Sequence, residues 1–361
     1  MEFINLKAQY QQLKEDINKR ISNVLEHGRY ILGPEVQELE EKLASYTNSK
    51  CCVTASSGTE ALLISLMALG IKPGDEVITT PFTFVATSEV IVLLGAKPVF
   101  VDIEADTCNI DASKIEQSIN EKTKAIMSVS LYGQPADMDE INAIAKKYDL
   151  PVIDDAAQSF GATYKGQKSC SLTTISCTSF FPSKPLGCYG DGGAIFTDDE
   201  EIAQKCREIR VHGQKKRYVH TMIGVGGRMD TIQCAIVLAK LERFDWEVKR
   251  RIELGNRYNE ALDKIGIRRV EQRQDRTSVF AQYTMFVDDR EYVQNSLKAE
   301  EIPTAVHYPV PLDKQPAYLQ YAVDGATPIA SDMANQVVSL PMSAYLEDSE
   351  QQKIIEILER L

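Results

Sequence analysis

Several features are scarce in this sequence, and each scarcity excludes something. Positive charge is outnumbered: 40 lysines and arginines face 52 acidic residues, for a net charge of −12. So acidic a chain does not hold nucleic acid or an anionic membrane through a nonspecific basic surface, and an anionic ligand needs a local cluster of cations. Long hydrophobic runs are missing, and the longest apolar stretches, 61–71 and 90–96, are too short to span a bilayer. The opening Met1-Glu2-Phe3-Ile4-Asn5 lacks the basic and apolar regions of a secretory signal. The eight cysteines include no C-x-x-C pair, so reduced thiols in a cytoplasmic protein are expected rather than disulfides or zinc. The four histidines, His27, His212, His220 and His307, show no metal spacing, and no metal is expected. The glycines at 187–193 and 224–227 fit neither a dinucleotide fingerprint nor a P-loop, and no G-x-S-x-G elbow occurs.

What is present is ordinary globular material. The 361 residues are 43% hydrophobic and 25% charged, enough for two domains and a sizeable core. Apolar spacing predicts a helix over 6–26 ended by Gly28, and a second helix started by Pro34. Strands at 51–55, 76–79, 98–102, 125–131 and 152–155 then alternate with helices at 60–69, 84–94, 112–119 and 138–147. That alternation implies a mainly parallel sheet covered on both faces, with ligands bound beyond the carboxyl ends of its strands. Segments 174–181 and 193–197 read as two more strands, a hairpin-like unit antiparallel to the rest. One long helical region over 229–265 is expected to bridge two domains, a large one at 1–240 and a small α+β one at 241–361. In the latter, one strand at 283–287 and helices at 291–300 and 351–361 are expected.

Four short stretches carry chemistry. Lys184 stands between Ser183 and Pro185, after an apolar run ending in Phe180-Phe181. A lysine confined in this way loses hydration, its pKa falls, and its lone pair becomes a nucleophile. The alternative is a solvated loop lysine. Ser56-Ser57-Gly58-Thr59, between a strand and a helix, outlines a phosphate site, although Ser57 or Thr59 could simply be an N-cap. Asp155, at a strand end and opening Ala156-Ala157-Gln158, is placed to face the crevice; it could otherwise cap a helix. Phe84 offers a flat apolar surface. An amine for an aldehyde, donors for a phosphate, a ring partner and a carboxylate for a pyridine nitrogen together suit pyridoxal phosphate.

The order of these stretches resembles the DegT/DnrJ/StrS sugar aminotransferases, fold-type I enzymes acting on nucleotide-linked keto sugars. The resemblance spans the chain through Gly33-Pro34-Glu35, Ser57-Gly58-Thr59-Glu60-Ala61-Leu62, Pro81-Phe82-Thr83-Phe84-Val85-Ala86-Thr87, Asp154-Asp155-Ala156-Ala157-Gln158, the stretch 179–193, Arg228-Met229-Asp230 and His307-Tyr308-Pro309. It implies that Lys184 carries the cofactor, Asp155 pairs with the pyridine nitrogen, and Gln158 reaches the ring hydroxyl. It also implies that Phe84 stacks on the ring and that Gly58, Thr59 and Ser179 hold the phosphate. A homodimer is implied too, in which an asparagine two residues before the Arg-Met-Asp arginine reaches the partner's phosphate. Here that position is Gly226. Lysine at 184, where the related dehydratases have histidine, favours amino transfer, with glutamate as donor by analogy.

Within the family, Gly28 through Val36, Ser130-Leu131-Tyr132-Gly133-Gln134 and His307-Tyr308-Pro309 are similar to enzymes that aminate UDP-2-acetamido-2-deoxy-3-oxo-D-glucuronate for O-antigen or capsule. Arg228, helped by His307 and Tyr308, would then bind the uronate carboxylate, unless Arg228 pairs with Asp230 and His307-Tyr308 only closes a domain interface. Two rivals stand beside this reading: an aminotransferase for a 4-keto-6-deoxy sugar nucleotide of the perosamine type, and a non-catalytic cofactor-binding regulator. The acidic charge and the lack of a DNA-binding extension count against the regulator.

Overall fold

The computed structural model describes all 361 residues. The first helix, α1 (Leu6–His27), starts where the Asn5 side chain accepts from the Ala8 amide at 3.0 Å, and it stops at Gly28, whose φ of 68° suits glycine. Pro34 opens α2 (Pro34–Thr47), where a missing amide hydrogen costs nothing. Alternation follows: β1 (Cys51–Ala55), α3 (Gly58–Ala68), β2 (Glu76–Thr79), α4 (Ala86–Leu93), β3 (Lys97–Phe100), β4 (Thr123–Val129), α5 (Met138–Lys147) and β5 (Val152–Asp155). A small hairpin, β6 (Thr163–Tyr164) with β7 (Gln167–Lys168), leads to β8 (Ile175–Ser179), β9 (Gly193–Thr197) and α6 (Glu200–Ile209). Another hairpin, β10 (Gln214–Lys216) with β11 (Val219–His220), precedes α7 (Thr231–Leu241) and α8 (Phe244–Ile265). The chain ends with β12 (Tyr283–Phe286), α9 (Arg290–Ala299), α10 (Pro328–Gln336), β13 (Val337–Leu340) and α11 (Asp348–Leu358).

Seven strands form one sheet in the order β1-β9-β8-β5-β4-β2-β3. Only β9 runs against the others; β8 pairs parallel with β5 and antiparallel with β9. The expectation that 174–181 and 193–197 both oppose the rest is therefore corrected for the first of them. Residues alternate between two cores, as a strand's period of two requires. Val53, Val77, Met127, Ile153 and Ile195 pack with α3, α4 and α6 on one face. Cys52, Ala194 and Phe196 pack with α2 and α7 on the other, and Ile78, Ile126 and Val152 meet α5 there. Both faces are covered, which is why the strands read as continuous apolar runs.

Three further expectations change. Segment 112–119 is not one helix but two short 3₁₀ turns, Ala112–Lys114 and Glu116–Ser118. The Asp111 side chain accepts from the Ser113 amide at 3.1 Å and sets a local turn in place of an α-helical start. The long helix at 229–265 is two, α7 and α8, broken where Arg243 N–H bonds to Lys240 C=O. Lastly, β13 is a strand that the sequence hides, because α10 runs straight into it with no glycine or proline between them. It pairs antiparallel with β12.

Helix α8 serves two cores. Phe244 and Val248 pack with α2 and α7, whereas Leu254, Tyr258 and Leu262 pack with β12, β13, α9 and α11. At Gly255, a Cβ would lie 2.3 Å from the Phe280 ring. Gly255→Ala should therefore destabilise the protein by about 1–3 kcal/mol through overpacking, outweighing the ~1 kcal/mol that alanine gains in a helix. Denaturant unfolding measures it; a stabilised variant would contradict the packing described.

Candidate active site

The parallel strands β1, β4, β5 and β8 end on the same side of the sheet, and a cleft of about 470 Å³ opens there. That volume is typical of a small-molecule site. Its walls include Val129 from the end of β4, Asp155 from β5 and Ser179 from β8.

Beyond β1 the chain turns into α3. Ser57 caps this helix, its Oγ accepting from the Glu60 amide at 3.0 Å, and the amides of Gly58 and Thr59 are left without partners in the chain. Two glycines make room for the turn. A Cβ on Gly58 would meet the Ser179 side chain at 2.7 Å, and one on Gly193 would meet the Ser57 carbonyl at 2.5 Å. The result is an unblocked, 11-residue helix N-terminus with hydroxyls beside it, a cradle suited to a phosphate.

Lys184 sits in a closed loop after β8. Phe180 N–H bonds to Gly192 C=O at 2.7 Å, Cys188 N–H to Phe180 C=O at 2.7 Å, and Lys184 N–H to Phe181 C=O at 2.9 Å. Leu186 and Cys188 are buried and anchor the loop. The lysine side chain is half-buried, but protein atoms crowd its amine; this desolvation lowers its pKa, partly offset by the charge of Asp155.

Asp155 is 7% exposed, and burial raises its pKa. Three groups act in the opposite direction: the Thr87 hydroxyl donating to Oδ2 at 2.9 Å, the charge of Lys184, and the Ala157 amide at 3.2 Å from Oδ1. Thr87 in turn shares a hydrogen bond with Thr83, 3.0 Å away, and Thr83 lines the cleft. Neither threonine was assigned a task from sequence, although both lie in the 81–87 stretch, Thr83 in the turn before α4 and Thr87 in its first turn. The neighbouring Asp154 points to the other side of β5, where Ser130 Oγ donates to it at 3.0 Å and Ser128 Oγ at 3.3 Å.

The remaining predicted residues divide. Gly58, Thr59, Phe84, Gln158, Ser179, His307 and Tyr308 all line the cleft. Phe84 is 52% exposed, an apolar ring left open to a ligand. Gln158 is fixed at both ends, accepting from the Tyr132 amide at 2.8 Å and donating to the Tyr308 hydroxyl at 3.2 Å. His307 faces Ser339 Oγ at 2.9 Å; burial, helped by the charge of Lys184, lowers its pKa to about 4, so it is neutral near pH 7. Arg228 is not brought to this cleft, and it makes no ion pair with Asp230 or any other carboxylate of the chain. A Cβ on Gly226 would stand 3.8 Å from its guanidinium. Lys184 is thus the only lysine or arginine in the cleft wall.

Comparison with known proteins agrees with this geometry. Residues 11–359 match the model of the DegT/DnrJ/EryC1/StrS aminotransferase family. The chain is 55% identical, over 96% of each sequence, to the UDP-2-acetamido-2-deoxy-3-oxo-D-glucuronate aminotransferase of Pseudomonas aeruginosa. A crystal structure of a DegT DnrJ EryC1 StrS aminotransferase from Brucella abortus superposes with a TM-score of 0.97 at 39% identity, covering 100% of this chain and 99% of that one. The PLP-form of a Streptococcus pneumoniae sugar aminotransferase gives 0.90 at 30% identity, covering 96% and 95%.

Burial dominates the titration of Asp154 and raises its pKa to about 7. The native carboxyl then keeps its proton to about pH 7, while the unfolded one loses it near its ordinary value of 3.8. Stability should therefore fall as pH rises from about 4 to 7, by a few kcal/mol at most, since one unit is worth ~1.4 kcal/mol. Asp154→Asn should lessen that slope in unfolding measured across this range, with the rest left by carboxyls such as Asp155 whose pKa is also raised; an unchanged slope would refute the assignment.

Proposed function

That the chain belongs to the DegT/DnrJ/EryC1/StrS aminotransferase family is the premise from which we propose its reaction: amino transfer from glutamate to UDP-2-acetamido-2-deoxy-3-oxo-D-glucuronate, giving the 3-amino sugar. The observation that carries it is the desolvated Lys184 amine facing Asp155 in a cleft of small-molecule size. The identity of the sugar rests on the 55% relative, whose name states that substrate.

The family works with pyridoxal phosphate, and the cleft suits it: free amides and a glycine cradle at α3, an open phenyl ring, a buried carboxyl and a confined amine. When bound, the cofactor supplies an aldehyde that takes and passes on the amino group, and a ring that withdraws electrons. Lys184 would hold it covalently, with Gly58, Thr59 and Ser179 at the phosphate and Phe84 against the ring. Asp155 would keep the pyridine nitrogen protonated, steadied by Thr87 and Ala157. Gln158 would meet the ring hydroxyl while it holds Tyr308. Freed from the cofactor, Lys184 Nζ would be the base that takes the proton from the donor α-carbon and the acid that gives it up again, with the same two roles in the opposite order for the keto sugar. The desolvation that lowers its pKa keeps that nitrogen available as a base.

A substrate with a uronate carboxylate and a pyrophosphate needs more cations than one cleft offers. We place Arg228, unpaired in its own chain, at the cleft of a second copy in a homodimer. The products would serve O-antigen or capsule assembly in the cytoplasm. The cleft's catalytic outfit favours turnover over a purely regulatory role.

The test is an assay with glutamate and two keto sugars, the 3-oxo-glucuronate and a 4-keto-6-deoxy sugar nucleotide. The first should turn over faster, and Arg228→Ala should lower its kcat/KM about 10- to 100-fold, as loss of a charged hydrogen bond does. Faster turnover of the 4-keto sugar would overturn the reading.

A further inference from the structure

The loop that carries Lys184 returns through residues 186–192, and this limb lies against the one that precedes the lysine. Cys188 N–H bonds to Phe180 C=O at 2.7 Å, and a Cβ on Gly187 would stand 2.6 Å from the Pro182 carbonyl oxygen. Whatever fixes the returning limb therefore fixes the lysine's limb too. The fixing point is Tyr189, which helix α7 grips twice. Gln233 Oε1 accepts from the Tyr189 N–H at 2.9 Å, and Gln233 Nε2 donates to the Tyr189 C=O at 3.4 Å, so one carboxamide closes on one residue's backbone. Two turns along α7, Lys240 places its Nζ 4.1 Å from the centre of the Tyr189 ring. The ring is set in the seam between α1 and α7, against the cluster of Leu13, Ile17, Ile236 and Ala239, with the Tyr10 ring edge-on at 6.2 Å.

Lys240 is an unusual residue for such a place. It is 1% exposed, and its amine has no hydrogen-bond acceptor. A buried cation ordinarily pairs with a carboxylate. The groups around this one are Glu247 on α8, Cys188 and Tyr189 in the loop and, beyond the ring, Tyr10 on α1. Glu247 is engaged elsewhere, accepting from Gln9 Nε2 at 3.0 Å and from Tyr345 Oη at 2.8 Å. Burial pushes the Cys188 thiol up to about 11 and the Tyr189 phenol to about 12, so neither is an anion near pH 7. Burial also pulls Lys240 down to about 8, which leaves it a cation at pH 7. That cation is steadied by the electron-rich face of the Tyr189 ring. A methionine would fill the same space without the cost of burying a charge. The charge thus weakens the fold, and the contact it makes is with the lysine loop.

We propose that Gln233 and Lys240 are positioning residues for Lys184: they clamp Tyr189 and, through the two abutting limbs, hold the Lys184 amine where proton transfer needs it. The proposal rests on the role given to Lys184 above. Both residues lie outside the cleft wall and act through the loop alone.

Lys240→Met and Gln233→Met, each in the cofactor-loaded enzyme, test this. Each should lower kcat by about 3- to 10-fold, the worth of one cation–π contact or one pair of hydrogen bonds, and leave the KM for the keto sugar little changed. Hydrogen exchange in the peptide over 180–192, read by mass spectrometry, should quicken by a similar factor while α1 and the central sheet keep theirs. Lys240→Met should melt at or above the wild-type temperature at pH 7, because the buried charge is gone. That gain should shrink as pH rises from about 8 toward 10.5, where wild type sheds the same charge. Tyr189→Leu removes the shared target, so adding Lys240→Met to it should cost no further activity. If Lys240→Met lost kcat in step with Tm, with exchange faster throughout the chain, the lysine would belong to the general packing and the proposal would fail. Unchanged kcat and loop exchange in both variants would also sink it, with the substrate reading left intact. Wild-type protein that held its cofactor through another lysine would sink the role of Lys184 and this inference together.

Discussion

The site depends on one electrostatic arrangement: the amine of Lys184, desolvated in the loop after β8, and the carboxyl of Asp155, buried at the end of neighbouring β5. Burial disfavours charge on each, lowering the pKa of the first and raising that of the second, while each charge steadies the other. A lysine in water near pH 7 is almost always protonated and has no lone pair to offer. Here the fold supplies the reason for its reactivity, and the same low-polarity surroundings strengthen every charge interaction that a bound cofactor makes.

Much of the architecture exists to keep that pair in register. Parallel β5 and β8 fix the spacing of their carboxyl ends, and the reversed β9 lets the loop carrying Lys184 close back on Gly192. Gly58 and Gly193 let the β1–α3 turn come down onto Ser179, which brings a helix N-terminus to the same cleft. From the C-terminal part of the chain, the residue before β12 and the segment after α9 contribute the far wall, with Gln282, His307 and Tyr308. A neutral His307 fits this setting, because burial, helped by the charge of Lys184, disfavours its cation.

Sequence reasoning reached the residues whose chemistry is local and failed where tertiary contact decides. Lys184 between Ser183 and Pro185, the Ser57-Gly58-Thr59 turn and Asp155 at a strand end announce themselves through neighbours in the chain, and all three line one cleft. The β–α alternation likewise gave the mainly parallel sheet. The direction of β8 could not be read, because a strand's apolar pattern is the same whichever way it runs. β13 escaped because no turn residue separates it from α10. Thr87 and Gln282 have ordinary neighbours, and only the folded chain brings one to Asp155 and the other to the cleft. Arg228 shows the converse: a motif residue legible in sequence that a single chain does not bring to its own cleft.

The claim on which the rest turns is that Lys184 is the amine that carries the cofactor. The protein contains a second buried lysine, Lys240, 1% exposed, without a hydrogen-bond partner and with a pKa lowered by burial to about 8, but it lies outside the cleft. Borohydride reduction of the cofactor-loaded enzyme, followed by peptide mapping, attaches the pyridoxyl group permanently to whichever lysine holds it. The account predicts the label on the peptide containing Lys184 and on no other. A label on Lys240, or on any other lysine with Lys184 unmodified, would contradict it.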